Sequence, residues 1–243
     1  MSKDVTCSRE GALLTVTLNR ADCGNLVTME MVDALREALA GVPREVKLVV
    51  LAGAGNDFCK GRDYQSAPES AQGGRAPSAL TIRDEMTSPI ATLYGALKEL
   101  AVPTLAVVQG AAYGFGCALS GACDLVVAGE RARFRLPEMK RGLPPTLAMT
   151  ALLDRVSLRG VAHLVYSTAE LDARQAQAIG LVSAVHADER LQEEVRSLID
   201  TISLQPVDAV RAVKEYLRVA PAMEPRGRSD FGANLFANVL SSR

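Results

Sequence analysis

The sequence predicts an α/β fold, and three observations carry that prediction. Two short runs, Lys47–Leu51 and Thr104–Val108, are apolar on both faces, as strands covered from both sides must be. A third such run, Leu125–Ala128, follows, and stretches with helical spacing of apolar residues alternate with all three. No low-complexity linker interrupts the 243 residues, which suffice to bury a sizeable core, so 1–243 is expected to form a single domain.

From the N-terminus, the Glu10-Gly11 turn followed by alternation at Leu14, Val16 and Leu18 predicts an antiparallel hairpin. Thr28 is a suitable N-cap for a helix with Met31, Val32, Leu35 and Leu39 on one stripe, ending near Gly41-Val42-Pro43. The strand at 47–51 comes next, then a polar, glycine-rich stretch over 65–78 read as a mobile loop, then a helix to about Glu99. After the second strand, Phe115–Cys123 reads as a short helix leading into Leu125–Ala128. Beyond Pro144-Pro145 the character turns helical. Leu147–Val156 fits one helix, and Asp172-x-x-Gln175 reads as a capping box opening a helix that stops at Gly180. Further helices are expected over Leu191–Leu204, Pro206–Leu217 and roughly Asp230–Leu240, so the chain divides near residue 190 into an α/β part and a helical part.

Composition narrows the partners. With 27 Lys+Arg against 28 Asp+Glu and a net charge of −1, there is no basic surplus to attract nucleic acid or an anionic membrane. Any anionic ligand must be met by local charge. The absence of Trp and an aromatic content of 4% leave little surface for base stacking. The five cysteines (Cys7, Cys23, Cys59, Cys117, Cys123) lack CxxC spacing, and with only His163 and His186 they form no recognisable zinc pattern, so no metal is expected. A reduced, cytoplasmic protein is the simplest account, and the Met-Ser-Lys-Asp start carries no apolar signal core. Leu100–Cys123 is uncharged and long enough to span a bilayer. Pro103, Gln109 and the glycines at 110, 114, 116 and 121 favour a buried strand, turn and helix instead.

Two glycine-containing turns follow buried strands. The first, Gly53-Ala-Gly55, superficially opens a dinucleotide-binding fingerprint, but Phe58 stands where the third glycine belongs and no acidic residue lies about 20 positions on. No Gly-Lys-Ser/Thr follows a glycine-spaced turn either, which excludes a P-loop. What remains is the pair Gly53–Asp63 and Gln109–Gly116, whose backbone N–H groups are able to converge on one point and stabilise a developing oxyanion. The bland reading is two tight turns with glycine at φ > 0.

The order and spacing of several short motifs resemble the enoyl-CoA hydratase/isomerase (crotonase) superfamily over nearly the whole chain. They are Thr17-Leu-Asn-Arg20 with Asn25, Leu51–Asp63, Val102–Gly110, Gly114–Leu119, Cys123–Ala128, Ala132-Arg-Phe134, Pro137-Glu138, Gly142-Leu-Pro144 and Ala173–Val182. The resemblance implies a spiral of ββα turns over about 1–190 with a helical trimerisation region over about 191–243. It also implies a site that binds an acyl-CoA thioester and stabilises its enolate. The family's two oxyanion donors fall on the backbone N–H groups of Arg62 and Phe115. Phe115 stands where glycine is common, and the Arg62 side chain is bulky enough to narrow the acyl pocket or to pair with a carboxylate on the substrate.

Hydratases of this family carry two glutamates. Here the first position is Ala118 and the second is Glu138. One carboxylate is suited to moving one proton, from C2 to C4 of a 3-enoyl-CoA, acting first as base and then as acid. Double-bond isomerisation is therefore the expected reaction. Hydration is the alternative, then thioester hydrolysis or decarboxylation. An inactive CoA-binding homologue is a further alternative, motivated by Ala118, Phe115 and Arg62. Lys60 and Arg62 are candidates to meet CoA phosphates, and Gly61, Tyr64, Gly114, Tyr113 and Thr146 to line the substrate site. No cofactor is expected beyond the coenzyme A of the substrate, and a homotrimer or a hexamer of two trimers is implied. Glu138 has an ordinary alternative as an ion-paired surface acid, since Arg133, Arg135, Lys140 and Arg141 are near in sequence. Cys59 is expected to serve packing and His163 to be structural.

Overall fold

The hairpin read around Gly11 starts the main sheet of the computed structural model, which describes residues 3–64 and 77–242. Strand β1 (Val5–Glu10) pairs antiparallel with β2 (Leu13–Leu18). From there every neighbour is parallel: β2 with β3 (Leu48–Gly53), β3 with β4 (Thr104–Val108), β4 with β6 (Leu125–Gly129), and β6 with β9 (Ala184–His186). A second, smaller sheet holds β5 (Ala111–Tyr113), β7 (Arg133–Arg135) and β8 (Leu171–Asp172). A bridge between Cys59 and Ala112 adds one further position to it. Each main-sheet strand from β3 to β6 thus runs into a short segment of the second sheet before the chain turns helical, which is the repeat of the spiral.

The continuous apolar runs are explained by burial on both faces. Val49, Leu51, Ala106, Val108, Val126 and Ala128 face one core with α1 (Met29–Ala40), α3 (Ser88–Glu99) and α4 (Phe115–Gly121). Their neighbours Leu48, Val50, Leu105, Val107 and Val127 face a second, smaller core closed by Leu191, Val195 and Ile199 of α8 (Leu191–Ser203). Thr28 caps α1, its side chain accepting from the Met31 N–H at 3.2 Å, and Asp172 and Gln175 form the expected capping box at α7 (Ala173–Ala178).

Several expectations change. The helix read over 147–156 is shorter, α5 (Thr146–Leu152). A helix not anticipated, α6 (Leu158–Ser167), follows, with the Ser157 hydroxyl accepting from the Gly160 N–H at 3.1 Å. The segment before Glu99 contains α2 (Ala79–Ile82) and a π-helical turn over 83–87 ahead of α3. The last helix, α10 (Pro225–Ser241), begins earlier than read, with Pro225 at a first-turn position where a missing N–H costs nothing. The loop read over 65–78 lies largely outside the described residues. Among the described residues no helix is long and apolar enough to cross a membrane, and the uncharged 100–123 stretch contains β4, β5 and α4.

The helical end is not an appendage. Lys214 of α9 (Val207–Val219), only 3% exposed, reaches back to Asp124 at the start of β6, with Nζ 2.7 and 2.8 Å from the carboxylate oxygens. Arg155 donates to the same carboxylate at 3.0 Å, as do the N–H and hydroxyl of Thr104.

Candidate active site

The segment 59–63 threads between two neighbours. On one side the Val27 N–H donates to Gly61 O and the Asp63 N–H donates to Val27 O, each at 2.9 Å. This bridge uses the amides around Arg62 and leaves the Arg62 N–H pointing to the opposite side of the strand. On that side lies the turn after β5: the Tyr113 N–H donates to Cys59 O at 2.9 Å, and a side chain on Gly61 would meet Tyr113 O at 3.5 Å. Gly61 itself sits at φ +118°, a conformation other residues avoid.

Phe115 begins α4, so its N–H is one of the helix-start donors without an intrahelical partner. The glycine usual at this position is not needed. The unusual backbone falls on Gly114 (φ 50°, ψ −112°), and the Phe115 ring packs 5.8 Å from that of Tyr94, a buried α3 residue that sequence reasoning did not single out. Gly114 has a second reason to be glycine: a Cβ there would come within 3.0 Å of Glu138 Oε1.

Glu138 opens a 3-10 turn (Glu138–Arg141) just after β7. Its Oε2 is buried without a hydrogen-bond partner among the described residues. Burial pushes its carboxyl above the ordinary carboxylate range, against a smaller pull from its own backbone N–H and from Arg141. The ion-paired alternative does not describe it: Arg135 donates to Thr168 O, and Arg133 lies 4.0 Å from Glu170.

These pieces line one cleft of about 510 Å³, which brings together Lys60, Gly61, Arg62, Tyr64, Gly114, Phe115 and Glu138. Tyr113 and Thr146 are not among its lining residues. The Tyr113 hydroxyl donates to Glu170 at 2.6 Å, with burial and that carboxylate pushing its phenol up to about 12, and Thr146 starts α5 exposed. Lys60 lines the cleft but is paired with Asp57 at 2.7 Å. Ala118 is fully buried and does not line it. The other lining carboxylate, Asp63, is held by Arg20 at 3.1 Å. Cys59 is an inert packing thiol, buried and pushed up to about 12, and His163 is exposed on α6.

Sequence reasoning missed two groups. Asn25, fully buried at φ 55°, ties the loop before the site: its Nδ2 donates to Ala54 O and Asp57 O, and its Oδ1 accepts from the Arg20 N–H. Arg141 lines the cleft, its guanidinium 5.4 Å from the Tyr64 ring centre. Asn25 stood in a motif, but its bonds to Ala54 and Asp57 span some 30 positions; Arg141 was read only as a charged neighbour of Glu138 in sequence.

This arrangement brings the backbone of Arg62 and Phe115 and the partly buried carboxyl of Glu138 to one cleft of an α/β spiral. The enoyl-CoA hydratase/isomerase family model matches residues 8–242, and the chain belongs to that family. It is 32% identical to 2,3-dehydroadipyl-CoA hydratase of Escherichia coli K12 over 88% of this chain and 82% of that protein. It is 30% identical to 1,2-epoxyphenylacetyl-CoA isomerase of the same organism over 87% and 80%. Among solved structures, an enoyl-CoA hydratase of Mycobacterium smegmatis superposes with a TM-score of 0.90 at 26% identity, covering 98% of this chain and 91% of that one. A hydratase and an isomerase at almost equal identity leave the reaction to be argued from the site.

Proposed function

We propose that this enzyme isomerises the double bond of an enoyl-CoA, and the observation that carries the proposal is that Glu138 is the one carboxylate among the described lining residues of the cleft without an ion-pair partner. The Glu138 carboxylate takes a proton from C2 of a 3-enoyl-CoA. The thioester oxygen gains the charge of the resulting dienolate and accepts from the N–H groups of Arg62 and Phe115. The protonated Glu138 then returns the proton at C4, giving the 2-enoyl-CoA. A carboxyl held above its usual range by burial is suited to both halves of this exchange, since it must hold the proton between them. Backbone donors suit the oxyanion because they need no reorganisation as charge develops.

Hydration would need a second group to share the work of activating water and supplying a proton. At the position where the family resemblance places that acid in hydratases stands Ala118, a buried methyl that can neither activate water nor supply a proton. The substrate is the only source of coenzyme A in this reading, and no separate cofactor or metal takes part. A homotrimer or a hexamer of two trimers is part of the proposal, supported by the apolar face of α9 and α10, where Val213, Leu217, Phe236 and Leu240 are each more than half exposed. Turnover of matched 3-enoyl- and 2-enoyl-CoA thioesters by wild type and Glu138→Gln tests the assignment. Isomerisation should dominate in wild type and fall by about 10²–10⁴ in the variant. Dominant hydration, or full activity in Glu138→Gln, would show the mechanism to be wrong.

A further inference from the structure

The cleft carries more positive charge than the proposed reaction uses. Three arginines line it among the described residues. Arg20 is committed, donating to Leu26 O at 2.6 Å and pairing with Asp63. Arg62 and Arg141 form no ion pair with a carboxylate within 4 Å among the described residues, although Arg141 is near enough to Glu138 to draw its carboxyl down, and Arg62 Nη2 lies 3.5 Å from Met29 Sδ. Both guanidinium groups flank the same ring, Arg62 at 5.3 Å and Arg141 at 5.4 Å from the Tyr64 centre. Two like charges held near one tyrosine ring, on residues that both line the cleft, make that end of the cleft favourable for an anion, and a planar guanidinium presents paired donors that match a carboxylate.

Resting on the acyl-CoA reading above, we propose that this site selects thioesters whose acyl chain ends in a second carboxylate, held by the Arg62 and Arg141 guanidinium groups over Tyr64. The origin of the two side chains places the anion on the acyl side. The backbone N–H of Arg62 is the proposed donor to the thioester oxygen, so its side chain starts within one residue of the reacting carbonyl. Arg141 lies three positions after Glu138 in a 3-10 turn, where residues i and i+3 stack on one face, so it starts at the proton-transfer point. The phosphates of coenzyme A are carried away from both by the length of the pantetheine arm.

Binding of saturated thioesters, which have no double bond to isomerise, separates this inference from the assigned reaction. Succinyl-, glutaryl- and adipyl-CoA are titrated against butyryl-, valeryl- and hexanoyl-CoA by calorimetry, with wild type and Arg141→Gln. Wild type should prefer the carboxylated member of at least one pair by about tenfold or more, as a charge-assisted pair allows, and raised salt should erode the ratio. Arg141→Gln should bring the ratio toward one. A wild-type ratio near one at every length overturns the inference. So does an Arg141→Gln variant that keeps the ratio, or one that weakens both series alike, which would assign the cation to a phosphate. If no thioester binds, the acyl-CoA reading falls with it. If the preference is present while Glu138→Gln leaves turnover untouched, the clamp stands and only the proton-transfer assignment is lost.

Discussion

A buried carboxylate and a partly buried one divide the labour of this molecule. Asp124 is saturated: it accepts from Lys214, Arg155 and both donors of Thr104. Glu138, fourteen residues on, has an oxygen with no hydrogen-bond partner among the described residues and a carboxyl pushed up by burial. The first ties the C-terminal helices to the sheet. The second is left dissatisfied at the edge of a cleft, where an unmet acceptor is a liability for stability and a resource for moving protons. The same carboxylate chemistry becomes mortar or tool according to how many donors surround it.

Breaking each acid in turn sharpens that contrast. The largest effect is expected from Glu138→Gln, which removes the proton shuttle and should lower turnover by about 10²–10⁴ while the circular dichroism spectrum stays native. Next is Lys214→Met, which leaves part of Asp124's charge unmet in the interior. It should cost about 3–5 kcal/mol by denaturant titration, with turnover per folded molecule largely kept. Gly114→Ala follows, forcing an L side chain into positive φ against Glu138 Oε1. A loss of roughly 1–2 kcal/mol is expected, with a fall in kcat as the carboxylate is pushed aside.

The smallest effects are in pH dependence. Because burial raises the Glu138 pKa, the ionised base disappears as pH falls through a value above the ordinary carboxylate range, so kcat/KM should rise with pH through an inflection there. The stability sign is opposite. A carboxyl whose folded pKa is raised favours the fold most below its unfolded pKa, and that contribution is lost as pH rises through the folded value. Glu138→Gln, which cannot ionise, should therefore gain stability over wild type at pH 8 relative to pH 4, read as a difference in Tm. An equal Tm difference at both values would mean that the ionised carboxylate is not penalised.

Much of the fold was legible because burial imprints a period. The stripe Met31, Val32, Leu35 and Leu39 became the buried face of α1, and the runs at 48–51 and 104–108 became strands between two cores. Strands of two or three residues, such as β5, β7 and β8, are too short to show a period, and they went unread although they build the second sheet beside the site. Of the predicted site residues, the cleft gathers Lys60, Gly61, Arg62, Tyr64, Gly114, Phe115 and Glu138, while Tyr113 points its hydroxyl to Glu170 and Thr146 lies elsewhere. The sequence showed Tyr113 next to a glycine turn, but alternation along β5 decides which side its ring takes.

The sequence by itself determined the composition of the machine: which acid is present, that Ala118 stands where the family resemblance expects another, and where the capped helices α1 and α7 begin. Those follow from residue identity and from interactions a few positions long. Only the tertiary structure decided which charges are spent. Asp124 meets Lys214 across 90 positions, Arg20 meets Asp63 across 43, and Arg62 and Arg141 meet on one tyrosine. Pairing in space, not order along the chain, sets the dielectric and the partners of each charge, and so which group is left able to act.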